Sequence, residues 1–231
     1  MKVRLVSHTV FDADFLREQG MQSGADIQAL VAYCARVSNP GNQANTDTAD
    51  KLLKYLVKNK HWSPFEMVSM TLEIQTTRDI ARQILRHRSF SFQEFSQRYA
   101  DPTKDMDWEY REARLQDPKN RQNSVSLDLT KADDRELNNM WIEKQQKVQR
   151  AARAAYEWAI QNGIAKEQAR SVLPEGLMGS RLYVAGTLRS WMHFIEVRSG
   201  NGTQLEHMQI ARECACVIAK LFPNIADFVS S

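Results

Sequence analysis

Cysteine is scarce in this sequence, with three residues among 231, and their spacing forms no disulfide framework. An odd, unpaired set of this kind is typical of a reducing compartment, so we expect a cytoplasmic protein. Cys214 and Cys216 lie two positions apart on a predicted helix, where side chains diverge and cannot share one metal ion. We therefore expect these two, together with Cys34, to be small packing residues.

Long apolar runs are also missing, which excludes a predicted membrane span or signal-peptide core. The sequence lacks a glycine-rich phosphate loop, a dinucleotide fingerprint, a nucleophile elbow and an HExxH motif. Its five histidines show no paired metal-ligand spacing, so we predict no metal site. No internal repeat is evident.

The sequence also lacks a large excess of charge of one sign. The 31 basic and 28 acidic side chains give a net charge of +3, too small to require a nucleic-acid or membrane partner. Anionic ligands must then be bound locally. The 42% hydrophobic and 26% charged residues are ordinary for a globular protein, and the length predicts one domain over residues 1–231.

Hydrophobic periodicity predicts strands and helices in mixed order. The first half reads as a strand over 2–10, helices over 25–37 and 48–58, a strand over 67–76, and a helix over 78–88 that Thr76 or Thr77 caps. The second half reads as a long helix over 133–162, a short helix over 166–173, a strand over 181–187, and helices over 189–198 and 204–221.

Two segments carry more specific expectations. Residues 100–132 are polar and interrupted by prolines, which indicates a surface excursion with one short helix at most, and we interpret it as a lid. In the long helix, Asp133 and Glu136 form a candidate capping pair. Its alanines allow close approach of another helix, including one from a second subunit. The mixed order favours an α+β domain.

The segment from Arg86 to Arg98 concentrates arginines, hydroxyls and phenylalanines. The helix before it is predicted to end in Arg86, His87 and Arg88, where the helix dipole favours cations. Forked cationic donors beside apolar rings suit a ligand that is part anion and part flat ring. From these residues alone, a nucleotide or phosphate site and a solvated basic helix end remain equally open.

The same segment resembles the RHRxxSxNExSxR signature of the flavin-dependent thymidylate synthases, with Gln93 where asparagine is usual. Three further segments resemble other blocks of that family, in the family's order: 61–66, 169–174 and 189–198. The resemblance implies a mostly antiparallel central sheet packed by long helices, of the thymidylate synthase-complementing type. It also implies a homotetramer with sites shared between subunits.

By this resemblance the chain is an FAD-dependent methyltransferase that converts deoxyuridine monophosphate (dUMP) to thymidylate. Methylenetetrahydrofolate is then the carbon donor and NADPH the reductant, with no cysteine nucleophile. Arg198 is the implied catalytic residue, because a fixed cation near N3 of uracil favours the anionic ring and raises electron density at C5. No nucleic-acid or membrane partner is implied.

The resemblance also assigns binding residues by position. Those implied to contact FAD are Ser63, Arg86, His87, Arg88, Glu94, Thr187, Arg189 and His193. Those implied to contact dUMP are Gln83, Arg86, Glu94, Ser96, Gln97, Arg98, Arg170 and Arg198. Some relatives carry asparagine at the positions of Thr187 and His193. The alternatives are a basic, aromatic nucleic-acid-binding module and another flavin-nucleotide oxidoreductase on the same fold.

Overall fold

A computed structural model describes residues 1–21 and 24–229, and its centre is an antiparallel sheet. The strands in this part of the chain are β1 (Lys2–His8), β2 (Ser69–Thr77), β3 (Ser91–Glu94), β4 (Arg114–Gln116), β5 (Ser124–Ser126) and β6 (Gly179–Thr187). Four of them form the central sheet in the order β1, β2, β6, β3, while β4 and β5 form a separate hairpin. The predicted α+β class with a mostly antiparallel sheet is confirmed.

The described α-helices are α1 (Ala13–Glu18), α2 (Ile27–Ala35), α3 (Ala49–Lys58), α4 (Arg78–Ile84), α5 (Pro102–Asp105), α6 (Ala132–Gln161), α7 (Lys166–Ala169), α8 (Leu188–Arg198) and α9 (Leu205–Ala219). Short 3-10 turns cover Pro40–Asn42, Ser63–Glu66, Arg170–Val172 and Pro223–Phe228. The helices predicted near 25–37, 48–58, 133–162, 189–198 and 204–221 are confirmed. Helix α1 was not predicted.

Strands β2 and β6 form the middle of the sheet and position the helices that carry the site. They pair over their full lengths, from Ser69 opposite Thr187 to Thr77 opposite Gly179. Each ends in a threonine that directly precedes a helix, Thr77 before α4 and Thr187 before α8. Because the strands are antiparallel, the two helices start from opposite ends of the sheet.

One large apolar core covers the sheet. Its largest fully buried side chains include Trp191, Phe194, Phe65 and Phe222. Burying each of these rings contributes about 1.5–3 kcal/mol to stability relative to exposure. Helices α8 and α9 both contribute buried side chains to this core, and this packing fixes the positions of the polar residues at their ends.

The predicted end of α4 was wrong. The helix stops at Ile84, and Arg86, His87 and Arg88 lie in the turns that follow it. The chain must reverse here because residues 91–94 pair with β6. The dipole of α4 therefore stabilises these three positive charges less than the sequence indicated, since its influence falls off within the last turn.

Strand β3 itself was not predicted, because the phenylalanines of this segment were interpreted only as ligand contacts. Phe90 is 7% exposed and packs 4.5 Å from Trp191, measured between ring centroids. A Cβ at Gly186 would lie 2.3 Å from the Phe90 ring. Phe90 is therefore a core residue that fixes the edge strand against β6.

The polar excursion contains one short helix, α5, as expected, and also the β4–β5 hairpin, which was not predicted. Arg111 binds Asp79 at 2.7 Å, and Arg114 binds Glu206 at 2.5 Å. These ion pairs attach the excursion to the starts of α4 and α9. Whether it acts as a lid stays a prediction.

Helix α6 begins without the predicted capping pair. Its N-cap is Lys131, which forms no side-chain cap, and Asp134 instead accepts from the backbone N–H of Asp128 at 2.9 Å. Asp133 and Asp134 both lie in the first turn, where the helix dipole favours negative charge.

Most of the apolar side chains of α6 are exposed rather than packed. Only one narrow face, which includes Tyr156 and Ala159, packs against the rest of the chain. Next to it, large apolar side chains lie within about 100° of one another around the helix axis, at 100° per residue. We call this set the α6 apolar stripe; its members are Leu137, Met140, Trp141, Val148 and Trp158, all at least 44% exposed.

The cysteines are only partly as expected. Cys214 is buried and Cys34 is half-buried, whereas Cys216 is exposed. Helical spacing explains the difference, because residues two apart face different directions. Among the described residues, no helix combines the length and apolar character needed to cross a membrane.

Candidate functional site

Two sequence blocks that are far apart in the chain meet at a direct side-chain contact. Arg198, in the last turn of α8, donates from Nε to Nε2 of His87 at 3.0 Å. A guanidinium can only donate, so Nε2 of His87 must be unprotonated. Burial, and then the charge of Arg198, lower the pKa of His87 to about 4. His87 is therefore neutral at physiological pH.

A cleft of about 390 Å³ lies at the start of α8, between this helix and residues Trp62, Glu66, Ser89 and Phe228. Its polar lining includes Arg189 and His193, both predicted to contact a cofactor. Arg189 pairs with Glu66 across the cleft. Thr187 caps α8 by accepting from the backbone N–H of Ser190 at 3.3 Å, so it orients this wall of the cleft.

The remaining cleft lining was missed by the sequence analysis. It consists of Trp62, Ser89, Ser190, Met192, Glu196 and Phe228. These residues come from four separate segments, and no local pattern marks them. Ser63, a predicted cofactor contact, is exposed and directly follows Trp62.

Glu94 lies elsewhere, near the other end of β6. Ser180 donates to Oε1 of Glu94 at 2.8 Å, and Arg78 approaches the same oxygen at 3.4 Å. Arg78 is only 9% exposed and its NH1 has no hydrogen-bond partner among the described residues. A buried cationic donor of this kind can donate a hydrogen bond to an anionic or carbonyl oxygen of a ligand.

The residues after β3 form a turn with free donors. The backbone N–H of Arg98 donates to Oγ of Ser96 at 3.3 Å, and the Arg98 guanidinium lies 3.5 Å from Glu167 of α7. Arg98 thus sits beside the element that leads into Arg170. Gln97 is 4% exposed, and its Nε2 has no partner within the described part of the chain.

The predicted site residues therefore form two groups rather than one. His87, Arg198, Arg189 and the cleft lie around α8, whereas Glu94 pairs with Leu182 near the start of β6 and Arg98 lies in the turn that follows β3. Ser180 is the partner of Glu94 and lies seven positions before Thr187 in β6, which corresponds to about 23 Å along a strand. Arg86 and Arg88, on either side of His87, are exposed.

Gln83 is predicted to bind substrate and points into the interior between α4 and α9. Oε1 of Gln83 lies 3.2 Å from Nδ1 of His207, and Nε2 of Gln83 donates to Oε1 of Gln204 at 2.7 Å. His207 was considered in the sequence only as a possible metal ligand. Within residues 1–21 and 24–229, no group of three or more His, Cys, Asp or Glu side chains is placed to hold a metal ion.

Comparison with known proteins gives one consistent family. The family model described as thymidylate synthase complementing protein matches residues 21–224. The chain is 49% identical over 199 residues to a probable flavin-dependent thymidylate synthase of Paramecium bursaria Chlorella virus 1, covering 86% of this chain and 88% of the relative. It is 47% identical over 231 residues to a flavin-dependent thymidylate synthase of Synechocystis, covering 98% of both chains.

A solved structure agrees with these relatives. A UMP/dUMP methylase, PolB, from Streptomyces cacaoi, crystallised with 5-Br dUMP, is similar to this chain with a TM-score of 0.75 and 25% identity. The similarity covers 98% of this chain and 93% of the methylase. The fold as a whole is therefore shared.

Proposed function

This chain belongs to the flavin-dependent thymidylate synthase family, and on that premise we propose that it methylates dUMP to thymidylate. The proposed carbon donor is methylenetetrahydrofolate and the proposed reductant is NADPH. The observation that supports this most directly is the contact between His87 of the signature segment and Arg198, which joins residues 111 positions apart.

The cleft at the start of α8 fits part of an FAD molecule. Trp62, Met192 and Phe228 offer apolar surface for a ring, while Arg189 and His193 offer donors for phosphate or ring edges. The exposed Arg86 and Arg88, with His87 and Ser63, would extend this donor set. When bound, FAD would supply the hydride that turns the transferred methylene group into a methyl group.

The second group of residues supports a nucleotide site. Arg98 would bind the phosphate of dUMP together with Ser96 and nearby backbone N–H groups. Gln97 has a buried donor without a partner among the described residues, and Arg170 follows the helix that Arg98 contacts. Gln83, next to His207, would contact the nucleotide from the side of Arg198. Glu94 is a contact that FAD and dUMP would share.

Arg198 is the proposed catalytic residue. Its neutral neighbour His87 accepts a hydrogen bond from Nε and leaves the terminal guanidinium nitrogens for the uracil ring. A cation held near N3 stabilises the anionic form of the ring and makes C5 more nucleophilic. Burial raises the pKa of the Cys34 and Cys214 thiols, which supports a mechanism without a cysteine nucleophile.

We also propose that the active form is a homotetramer with sites shared between subunits, formed by single-domain chains of residues 1–231 in the cytoplasm. Glu94 lies away from the cleft along β6, and we expect residues of a second copy to complete each site. The α6 apolar stripe runs about 32 Å from Leu137 to Trp158 and offers a surface for that copy.

Introducing charge into the stripe should dissociate the assembly. We expect Val148→Glu with Trp158→Glu to shift the protein from tetramers to smaller species in light scattering, because burying these carboxylates in an interface is strongly unfavourable. Arg150→Glu, on an exposed part of α6 away from the stripe, is the matched control and should leave the tetramer intact. An unchanged tetramer in the double variant would place the interface elsewhere.

The proposed function is tested by the visible spectrum of the purified protein, with NADPH, dUMP and methylenetetrahydrofolate then added. We expect a flavin spectrum that bleaches, recovers, and is accompanied by thymidylate. A protein that stays colourless with excess FAD and binds RNA or DNA in a strongly salt-dependent way would be a nucleic-acid-binding module instead. A coloured protein that releases no thymidylate would be a different flavin oxidoreductase.

A further inference from the structure

A continuous row of side-chain hydrogen bonds leads from the polar excursion to the interior beside Arg198. Gln204 donates from Nε2 to Oε2 of Glu206 at 2.9 Å, and Gln83 donates from Nε2 to Oε1 of Gln204 at 2.7 Å. Oε1 of Gln83 then lies 3.2 Å from Nδ1 of His207. We call these four residues the Glu206–His207 relay. They join α4 to the start of α9.

The direction of every bond in the relay is fixed at its Glu206 end. Burial alone would raise the pKa of Glu206, but its hydrogen bonds and the charges of Arg111 and Arg114 lower it, so the side chain is ionised. An ionised carboxylate only accepts hydrogen bonds. Gln204 must therefore turn its amide nitrogen to Glu206 and its oxygen to Gln83.

The same logic carries through to the histidine. Because Gln204 presents an oxygen, Gln83 must turn its nitrogen to Gln204 and its oxygen to His207. Nδ1 of His207 must then carry the proton. His207 is fully buried, and its pKa is lowered to about 3 by burial and then by Arg198 and His87, so the ring is neutral.

This arrangement leaves capacity at Gln83 for a ligand. A carboxamide has two N–H donors and two acceptor lone pairs, and the relay uses one of each. Gln83 therefore keeps one donor and one acceptor in a fixed orientation. A nucleotide offers matching pairs in its uracil imide and its sugar hydroxyls. A free glutamine would lose rotamer entropy on binding, whereas a held one does not.

We propose that Glu206 and His207 are positioning residues that hold the Gln83 carboxamide in one orientation for the nucleotide. The inference rests on the proposed function, because it takes dUMP as the ligand of Gln83. Neither residue needs to touch the nucleotide. Their effect on it should pass through Gln83.

The first test compares two substitutions of the histidine. His207→Phe keeps a ring but removes the donor to Gln83, whereas His207→Asn keeps an N–H close to the position of Nδ1. We expect His207→Phe to raise KM for dUMP about tenfold, the effect of losing one well-placed hydrogen bond, with a smaller change in kcat. His207→Asn should restore KM to within about threefold of the wild-type value. Equal damage from both variants would overturn the proposal.

The second test is a double-mutant cycle with Gln83→Leu, which removes the residue through which His207 should act. In that background His207→Phe should raise KM no further, because coupled residues are not additive. The same increase in both backgrounds would show that His207 acts independently, and would also overturn the proposal.

Glu206→Gln provides a variant that keeps the size and shape of the side chain. An amide can donate or accept, so the direction of the relay is no longer fixed and KM should rise only when Gln83 is present. Asp79→Asn is the matched control, since it removes another carboxylate bound to Arg111 without touching the relay. If His207→Phe does not fold, the cycle is run with Glu206→Gln instead.

Wild-type activity separates this inference from the proposed function. Thymidylate formation with no coupling in the cycle leaves the proposed function in place and rejects the relay. A wild-type protein that forms no thymidylate and shows no dUMP binding by calorimetry rejects both.

Discussion

Replacing Arg198 by alanine should lower kcat for thymidylate formation about 100- to 1,000-fold, the usual effect of removing one preorganised donor at a developing anion. FAD binding should change much less. Arg198 contacts His87 and does not line the cleft, so its loss removes the cation proposed to lie near the uracil ring while the cleft keeps Arg189 and His193. Stopped-flow turnover and an FAD absorbance titration on the same preparation measure the two effects.

Two further variants give this experiment its controls. Arg198→Lys keeps a positive charge but loses the planar fork and the Nε–H that His87 accepts, so an intermediate kcat is expected. Arg17→Ala removes an arginine that is exposed on α1 and pairs with Asp14, and it should behave as wild type. An equal loss of turnover and FAD affinity in Arg198→Ala would contradict the catalytic role.

Replacing Arg98 by alanine should raise KM for dUMP by about 10- to 150-fold, which corresponds to about 1.5–3 kcal/mol for hydrogen bonds between a charged donor and phosphate. Arg98 is half-exposed and its pairing with Glu167 at 3.5 Å is a surface contact that contributes little. The guanidinium can therefore exchange this carboxylate for a phosphate at low cost. Initial rates over a range of dUMP concentrations give KM.

Glu167→Gln is the matched control for Arg98. It removes the resting partner while keeping the guanidinium, so KM for dUMP should stay the same or fall slightly. Deoxyuridine without its phosphate should bind wild type and Arg98→Ala equally. If Arg98→Ala instead weakens deoxyuridine and dUMP to the same extent, Arg98 does not bind the phosphate.

The elements that the sequence predicted well are those whose pattern reports burial directly. In β2, Met70, Leu72 and Ile74 are buried, as their alternation with polar residues predicted. Helix α8 shows Trp191, Phe194 and Ile195 buried at helical spacing. In both cases one face is covered by the same chain, so periodicity and burial agree.

Elements that depend on distant partners were predicted less well. The end of α4 and the existence of β3 follow from pairing between Glu94 and Leu182, which no local pattern encodes. The side of α6 that carries Trp141 reads as apolar in sequence but has nothing from this chain to cover it. Tertiary context overrides local propensity at such positions.

Some residues of the candidate site were likewise predicted from the sequence, and others were found only in the structure. The resemblance named His87 and Arg198 from separate blocks, and the structure places them 3.0 Å apart. Trp62 and Phe228 line the cleft only because the fold brings segment 61–66 and the last 3-10 turn to the same helix. Gln204 pairs with Gln83 across 121 positions, so the Glu206–His207 relay had no sequence signal at all.

The pairing of β2 with β6 also has the form of a local two-fold axis. Gly179 comes 110 positions after Ser69 and Thr187 comes 110 after Thr77, and the central pair of the ladder, Glu73 with Tyr183, has the same offset. Each strand leads through a threonine into a helix, so the two strand–helix units are pseudo-equivalent. No repeat was evident in the sequence.

The offset of 110 also relates the pair Arg88 and Ser89 to the pair Arg198 and Ser199. The two units stop being equivalent at this point, because α8 continues for 11 residues to Arg198 whereas α4 ends after 7. Because α4 is shorter, His87 lies in the turns that follow it and contacts Arg198. The contact between His87 and Arg198 therefore forms because the two strand–helix units differ in the length of their helices.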